Sequence, residues 1–188
     1  MSTFLGLAPF IAFFVLMRMS TPLVALAAAF IISAVLIGRA RLRGGGVKIL
    51  ELGSLILFGG LTLYTLAAHP PWSVAGVKLA VDGGLAVVVL ISLAIRRPFT
   101  LQYAREQVAP EYWRQPLFIR TNNIITGVWA AEFLIATACD AAAIYVPAIP
   151  LTAEIVVSIA ALVIAIWFTA SYPARVRRRL PGTARAPS

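Results

Sequence analysis

The ionisable side chains of Glu51, Lys78, Asp82, Glu132 and Asp140 stand inside long apolar stretches of this sequence. A charge in lipid is costly. It normally faces the interior of a helix bundle, pairs with a partner, or lines a route for protons or substrate. Spacing limits what each can do. Lys78 and Asp82 are four residues apart, so on a helix they lie one turn apart on one face. An internal ion pair is the cheapest way to keep both in a membrane. Asn122, Thr126, Trp129, Glu132, Ala136 and Asp140 recur on one face of another helix, with Glu132 near its middle and Asp140 at the depth of Lys78 and Asp82. Lys78, Asp82 and Asp140 are therefore expected to meet between these two helices. A third stripe runs Glu51, Ser54, Phe58, Thr62, Thr65 and His69, with Lys48 as the neighbour able to pair with Glu51. Two chemistries fit these stripes. One is helix–helix contact, stabilising by a fraction of a kcal/mol to about 2 kcal/mol per polar pair. The other is a proton or substrate path in which Glu132 gains and loses a proton.

No catalytic constellation accompanies these residues. A P-loop, a Gly-x-Ser-x-Gly elbow and a His-Glu-x-x-His helix are all missing from the sequence. One cysteine, Cys139, and one histidine, His69, leave no His/Cys set for zinc, haem or an iron–sulfur cluster. No metal or other cofactor is expected, and the chain reads as non-enzymatic.

The elements that must position the charges are membrane helices. The chain has 188 residues, 61% of them hydrophobic and 12% charged, with mean hydropathy +0.91. A soluble domain is about 45–50% apolar and about 25% charged. The composition excludes a soluble globular domain and a disordered chain. The apolar residues fall into five runs near the ~20 residues that cross a hydrocarbon core ~30 Å thick: Pro22–Gly38, Val47–Ala68, Val74–Ile95, Asn122–Tyr145 and Leu151–Tyr172. The earlier run Phe4–Met17 spans only about 21 Å at ~1.5 Å per residue. It reads as a short span, a re-entrant half-helix or an interfacial helix, forming a compact hairpin with the next run. The fold class is all-α: a polytopic transmembrane helical bundle of five full spans plus a short N-terminal hydrophobic segment. One transmembrane domain covers residues 1–172, including an interfacial connection over 96–121, and a basic tail covers 173–188.

The net charge of +9 orients the bundle. Apart from Arg18 and Lys78, every Lys and Arg lies in alternate connections: Arg39 to Lys48, Arg96 to Arg120, and the tail from Arg175 to Arg185. The other connections, His69–Ser73 and Val146–Pro150, carry no Lys or Arg. Cytoplasmic loops are enriched in Lys and Arg, so these connections and the C-terminus are expected in the cytoplasm, and the charge points to membrane lipid rather than nucleic acid. The longest connection interleaves basic and aromatic residues. With a span on each side, its helix between Pro98 and Pro110 is expected to lie flat on the inner surface, with Leu101, Ala104 and Val108 facing lipid. Its candidate contacts with partner or lipid are Arg96, Arg97, Phe99, Tyr103, Arg105, Trp113 and Arg114. Gly59-Gly60, in the middle of a span, are expected to permit close helix approach.

The ordered features resemble the bacterial intracellular septation protein A family of small inner-membrane proteins. The similarity rests on Phe4-Leu5, Pro9 and Phe13-Phe14, then Phe58-Gly59-Gly60-Leu61-Thr62-Leu63 at mid-span. It continues with Lys78, Arg97-Pro98, Trp113, Asn122 and Trp129. The connection around Gln102–Glu106 and the arginine-rich tail depart from the family pattern. The resemblance implies a role in cell division, septation and envelope maintenance through contacts with other inner-membrane proteins, without a cofactor or catalytic residues. Self-association is compatible with it. The rival reading, from a different class, is a small proton-coupled transporter or channel using Glu132, Asp140 and the Lys78/Asp82 pair, with a homodimer supplying a path between subunits.

Overall fold

The computed structural model describes Gly6, residues 8–146 and residues 150–178. Phe4, Leu5, Pro147 and the tail arginines Arg179 and Arg185 lie outside these residues. All elements among the described residues are helical: α1 (Ala8–Met19), α2 (Pro22–Leu42), α3 (Ile49–Ala68), α4 (Val74–Ala94), the short α5 (Phe99–Arg105), a 3-10 turn (Pro110–Tyr112), α6 (Pro116–Tyr145) and α7 (Leu151–Arg178). Five of them, α2, α3, α4, α6 and α7, are long and apolar enough to cross a membrane. The chain is an all-α, multi-pass bundle.

Local chemistry sets the ends. Thr21 Oγ1 accepts the Val24 N–H at the start of α2, with Pro22 in the first turn. Ser73 Oγ accepts the Gly76 N–H at the start of α4 (3.0 Å). Helix α2 stops at Gly44, whose φ of 72° lets the Gly45 N–H reach back to the Ala40 carbonyl. Helix α4 closes the same way with an arginine: Arg96 has φ 57°, and the Arg97 N–H donates to the Ser92 carbonyl at 2.9 Å. His69, with φ 45°, ends α3 just before Pro70-Pro71.

Two helices run further than their apolar stretches. Helix α6 begins at Pro116 rather than Asn122, because Leu117, Phe118 and Ile119 continue the turn and nothing breaks it before the proline. Helix α7 passes through Pro173 to Arg178, so the helix enters the segment expected to be a separate tail.

The helices pack in sequence: α1 on α2, α2 on α3, α3 on α4, α4 on α6 and α6 on α7, with α5 under α6. Helix α1 is not a surface helix. Its buried Phe10 and Phe13 meet Phe58 at the middle of α3, with ring centroids 5.4 and 5.7 Å apart. Its 12 residues still span only about 18 Å. Gly6 sits against the Tyr103 phenol, so the chain enters α1 from the arginine-bearing end. Two glycines pack tightly at the α3–α4 contact, where Gly53 faces Val88 and Gly84 faces Leu57. Of the expected pair, Gly59 backs onto Phe30, while Gly60 faces open space. Side chains such as Ile31, Ile56, Leu63 and Val163 point outward and are mostly exposed, as lipid-facing residues should be.

Candidate functional site

The charges inside the bundle converge where α4, α6 and α7 meet. Lys78 Nζ donates to Asp140 Oδ1 at 2.6 Å and to Glu154 Oε1 at 2.8 Å. Asp140 is 0% exposed and Glu154 5%, so both carboxyls have left water. The Asp82 carboxyl lies beside that of Asp140. The sequence expectation of a meeting of Lys78, Asp82 and Asp140 matches this placement, but the bonding differs. Lys78 forms no ion pair with Asp82; it bridges two other helices. Helical side chains lean toward the N-terminus. Lys78 is N-terminal to Asp82, so its chain points away from Asp82 and toward α6 and α7.

Glu154 is the residue that sequence reasoning missed. It sits in the first turn of α7, inside the run Leu151–Tyr172 but near its edge, where a charge is easily taken for a water-facing one. The available signal was its position as the acidic residue at the arginine-free end of an apolar run, level with Lys78.

The stripe on α6 is interior along its length. Asn122, Thr126, Trp129, Glu132, Ala136 and Asp140 are all buried. Glu132 is 7% exposed, and its Oε2 has no hydrogen-bond partner; nor does Asp140 Oδ2. Eight residues separate the two acids, about 12 Å along the helix. Trp129 Nε1 donates to Thr169 Oγ1 on α7 (3.0 Å). At the arginine-bearing end, Thr100 on α5 donates to the Asn122 carbonyl (3.0 Å) and shares a hydrogen bond with Thr126 Oγ1 (2.7 Å).

The stripe on α3 is satisfied within its own helix. Ser54, Thr62 and Thr65 each donate to the carbonyl four residues back, at 2.6, 2.7 and 2.7 Å. Only Thr65 also reaches outward, accepting from Trp72 Nε1 at 2.8 Å. Glu51 serves the start of α3: its Oε2 accepts the Lys48 N–H (3.3 Å), and Lys48 Nζ is 3.8 Å from its Oε1. Glu51 is thus a capping residue at the helix end rather than a member of the central cluster.

The connection after α4 is packed into the bundle rather than turned out toward lipid. Phe99, Leu101 and Tyr103 are all buried, which is an alternation rather than one helical face. The seven-residue α5 ends before Val108, so the expected Leu101, Ala104 and Val108 stripe does not form. The helix is instead wedged beneath the bundle and clipped to α3. Gln102 Oε1 accepts the Ile49 N–H at 2.7 Å, and Lys48 Nζ pairs with Glu106 at 2.8 Å and sits 4.2 Å above the Tyr103 ring. Burial, with Glu51 and Glu106 nearby, raises the pKa of the Tyr103 phenol, whose Oη has no partner. Phe99 and Tyr103 are therefore scaffold, not contact residues. Arg96, Arg97, Arg105 and Arg114 remain exposed, and Trp113 is half-buried. Trp113 donates to the Val108 carbonyl at 2.9 Å and lies under Arg105, 5.6 Å from ring to guanidinium.

Among the described residues no group of three or more His, Cys, Asp or Glu is arranged to hold a metal ion. The chain matches no family model, no curated protein and no solved structure.

Proposed function

We propose that this multi-pass protein resides in a bacterial inner membrane with its C-terminus in the cytoplasm, and that it supports septation and envelope maintenance by holding other membrane proteins rather than by catalysis. The observation that carries this reading is the set of exposed arginines, Arg96, Arg97, Arg105 and Arg114, on a connection whose Phe99 and Tyr103 are buried in the bundle. A rigid basic rim presents fixed charges to acidic segments of a partner or to anionic headgroups, at about 1 kcal/mol per cation near a lipid surface. The resemblance to the septation protein A family supports the same role. Phe58, Asn122 and Trp129, which help carry that resemblance, are all buried in the bundle, where they serve packing. Neutralising the four arginines together to Gln should abolish in-cell crosslinking from this connection while membrane insertion stays intact. Undiminished crosslinking would refute the rim as the contact surface.

A second reading is favoured by the buried charges: a small proton-coupled transporter or channel working through Glu132, Asp140, Lys78 and Asp82. Proton or solute flux in proteoliposomes, with and without a pH gradient, separates the two.

A further inference from the structure

The cluster around Asp140 is out of charge balance. One ammonium, Lys78, faces the carboxyls of Asp82, Asp140 and Glu154. Of the other charges on the packed elements, Arg120 is near the start of α6, Arg175 near the end of α7 and Glu51 at the start of α3, all at the opposite end, while His69 closes α3 at the same end as the cluster and its side chain is exposed. In a low-dielectric interior an excess of buried negative charge is not tolerated, and positive charge must enter. The ligand geometry does not suit a metal ion. A proton suits it. Asp82 and Asp140 lie side by side, a contact that repels as two carboxylates and becomes a hydrogen bond when one proton is shared.

Glu132 supplies an independent observation. It is more than nine-tenths buried, its Oε2 lacks a partner, and it interacts electrostatically with Asp82 across the α4–α6 contact. Beyond it, Thr126, Asn122 and Thr100 continue a line of polar groups to the arginine-bearing end.

We propose that Asp82, Asp140 and Glu132 form an intramembrane proton-binding site, with Lys78 as its fixed counter-charge and Glu154 holding Lys78 in place. Each step makes one O–H bond on a carboxylate and breaks one on its neighbour, so a proton entering at one end is matched by one leaving at the other. The site deepens the proton-coupled transport reading, on which it rests for a physiological role, by placing the shared proton between Asp82 and Asp140 and tying Lys78 to Glu154.

The test is infrared spectroscopy of the full chain in proteoliposomes. Carboxyls open to water ionise near pH ~4, so the carboxylic-acid C=O stretch at neutral pH reports only shielded groups. The wild type should show this signal at neutral pH, sensitive to deuterium exchange, and lose it on alkalinisation. Glu132→Gln and Asp82→Asn should each remove one component. A wild type with no carboxylic-acid signal at neutral pH overturns the proposal. So does a signal that both substitutions leave unchanged. Loss of the wild-type signal on adding Na+ at constant pH would assign the site to a metal cation instead, and would overturn it too. Because the wild type alone can refute the idea, misfolding of a variant does not rescue it. Bands that titrate without any proton flux across the same liposomes keep the site and remove the transport reading.

Discussion

Replacing Lys78 with Met removes the one donor that Asp140 Oδ1 and Glu154 Oε1 share. The methionine keeps the length and the packing of the stem, so the change isolates the ammonium. The two acid side chains are 1% and 4% exposed, whereas Lys78 is 24% exposed; the acids are the groups that suffer. Breaking a buried ion pair by removing one partner costs about 3–5 kcal/mol, because the survivor is left uncompensated. An ordinary interhelical hydrogen bond in a membrane is worth only about 0.6 kcal/mol, so the charge term dominates. For a chain of this size, each kcal/mol moves Tm by roughly 2–4 °C, giving an expected fall of about 6–20 °C. Thermal unfolding in detergent micelles, followed by circular dichroism, measures it. Lys78→Arg keeps the cation and should lose much less. Glu154→Gln leaves Asp140 paired and should also be milder. A Lys78→Met protein within about 2 °C of the wild type would refute the reasoning, as would Arg and Met variants that fall equally far.

Glycine substitutions discriminate tight helix contacts from loose ones. Gly84→Leu meets Leu57 across the α3–α4 contact and should cost about 1–3 kcal/mol through overpacking. Gly60→Ala enters open space inside a helix and should gain up to about 1 kcal/mol; chemical denaturation of the purified variants compares the two. Tyr103 predicts a pH effect. Its folded pKa is raised above the ordinary 10.0, so the folded state favours the neutral phenol. That contribution is complete below pH 10.0 and is lost as pH climbs from there toward the raised folded value. Tyr103→Phe should flatten the loss above pH 10.0, and at neutral pH it should match or exceed wild-type stability, because the buried Oη has no partner to lose. A Tyr103→Phe protein that is less stable than wild type at neutral pH would contradict this.

The number and order of the spans, the basic rim and the interior stripe of α6 were legible in the sequence alone. Each depends on local quantities: the length of an apolar run against the thickness of lipid, the alternation of arginine between connections, and the 3.6-residue period that aligns Asn122, Thr126, Glu132 and Asp140. Such features need no knowledge of neighbours. Tertiary structure decided everything that depends on which helices touch. Lys78 turned from Asp82 on its own helix to Asp140 and Glu154 on two others, because side-chain lean favours reaching away from the residue one turn ahead. Aromatic side chains in the connection, Phe99 and Tyr103, went inward because α5 is clipped to the start of α3 through Gln102 and Lys48, contacts more than forty residues apart in the chain. Likewise, which glycines lie in a tight crossing followed from the register of α3 against α4, not from the Gly59-Gly60 pair itself. Periodicity assigns a residue to a face; only the packed bundle determines what that face meets.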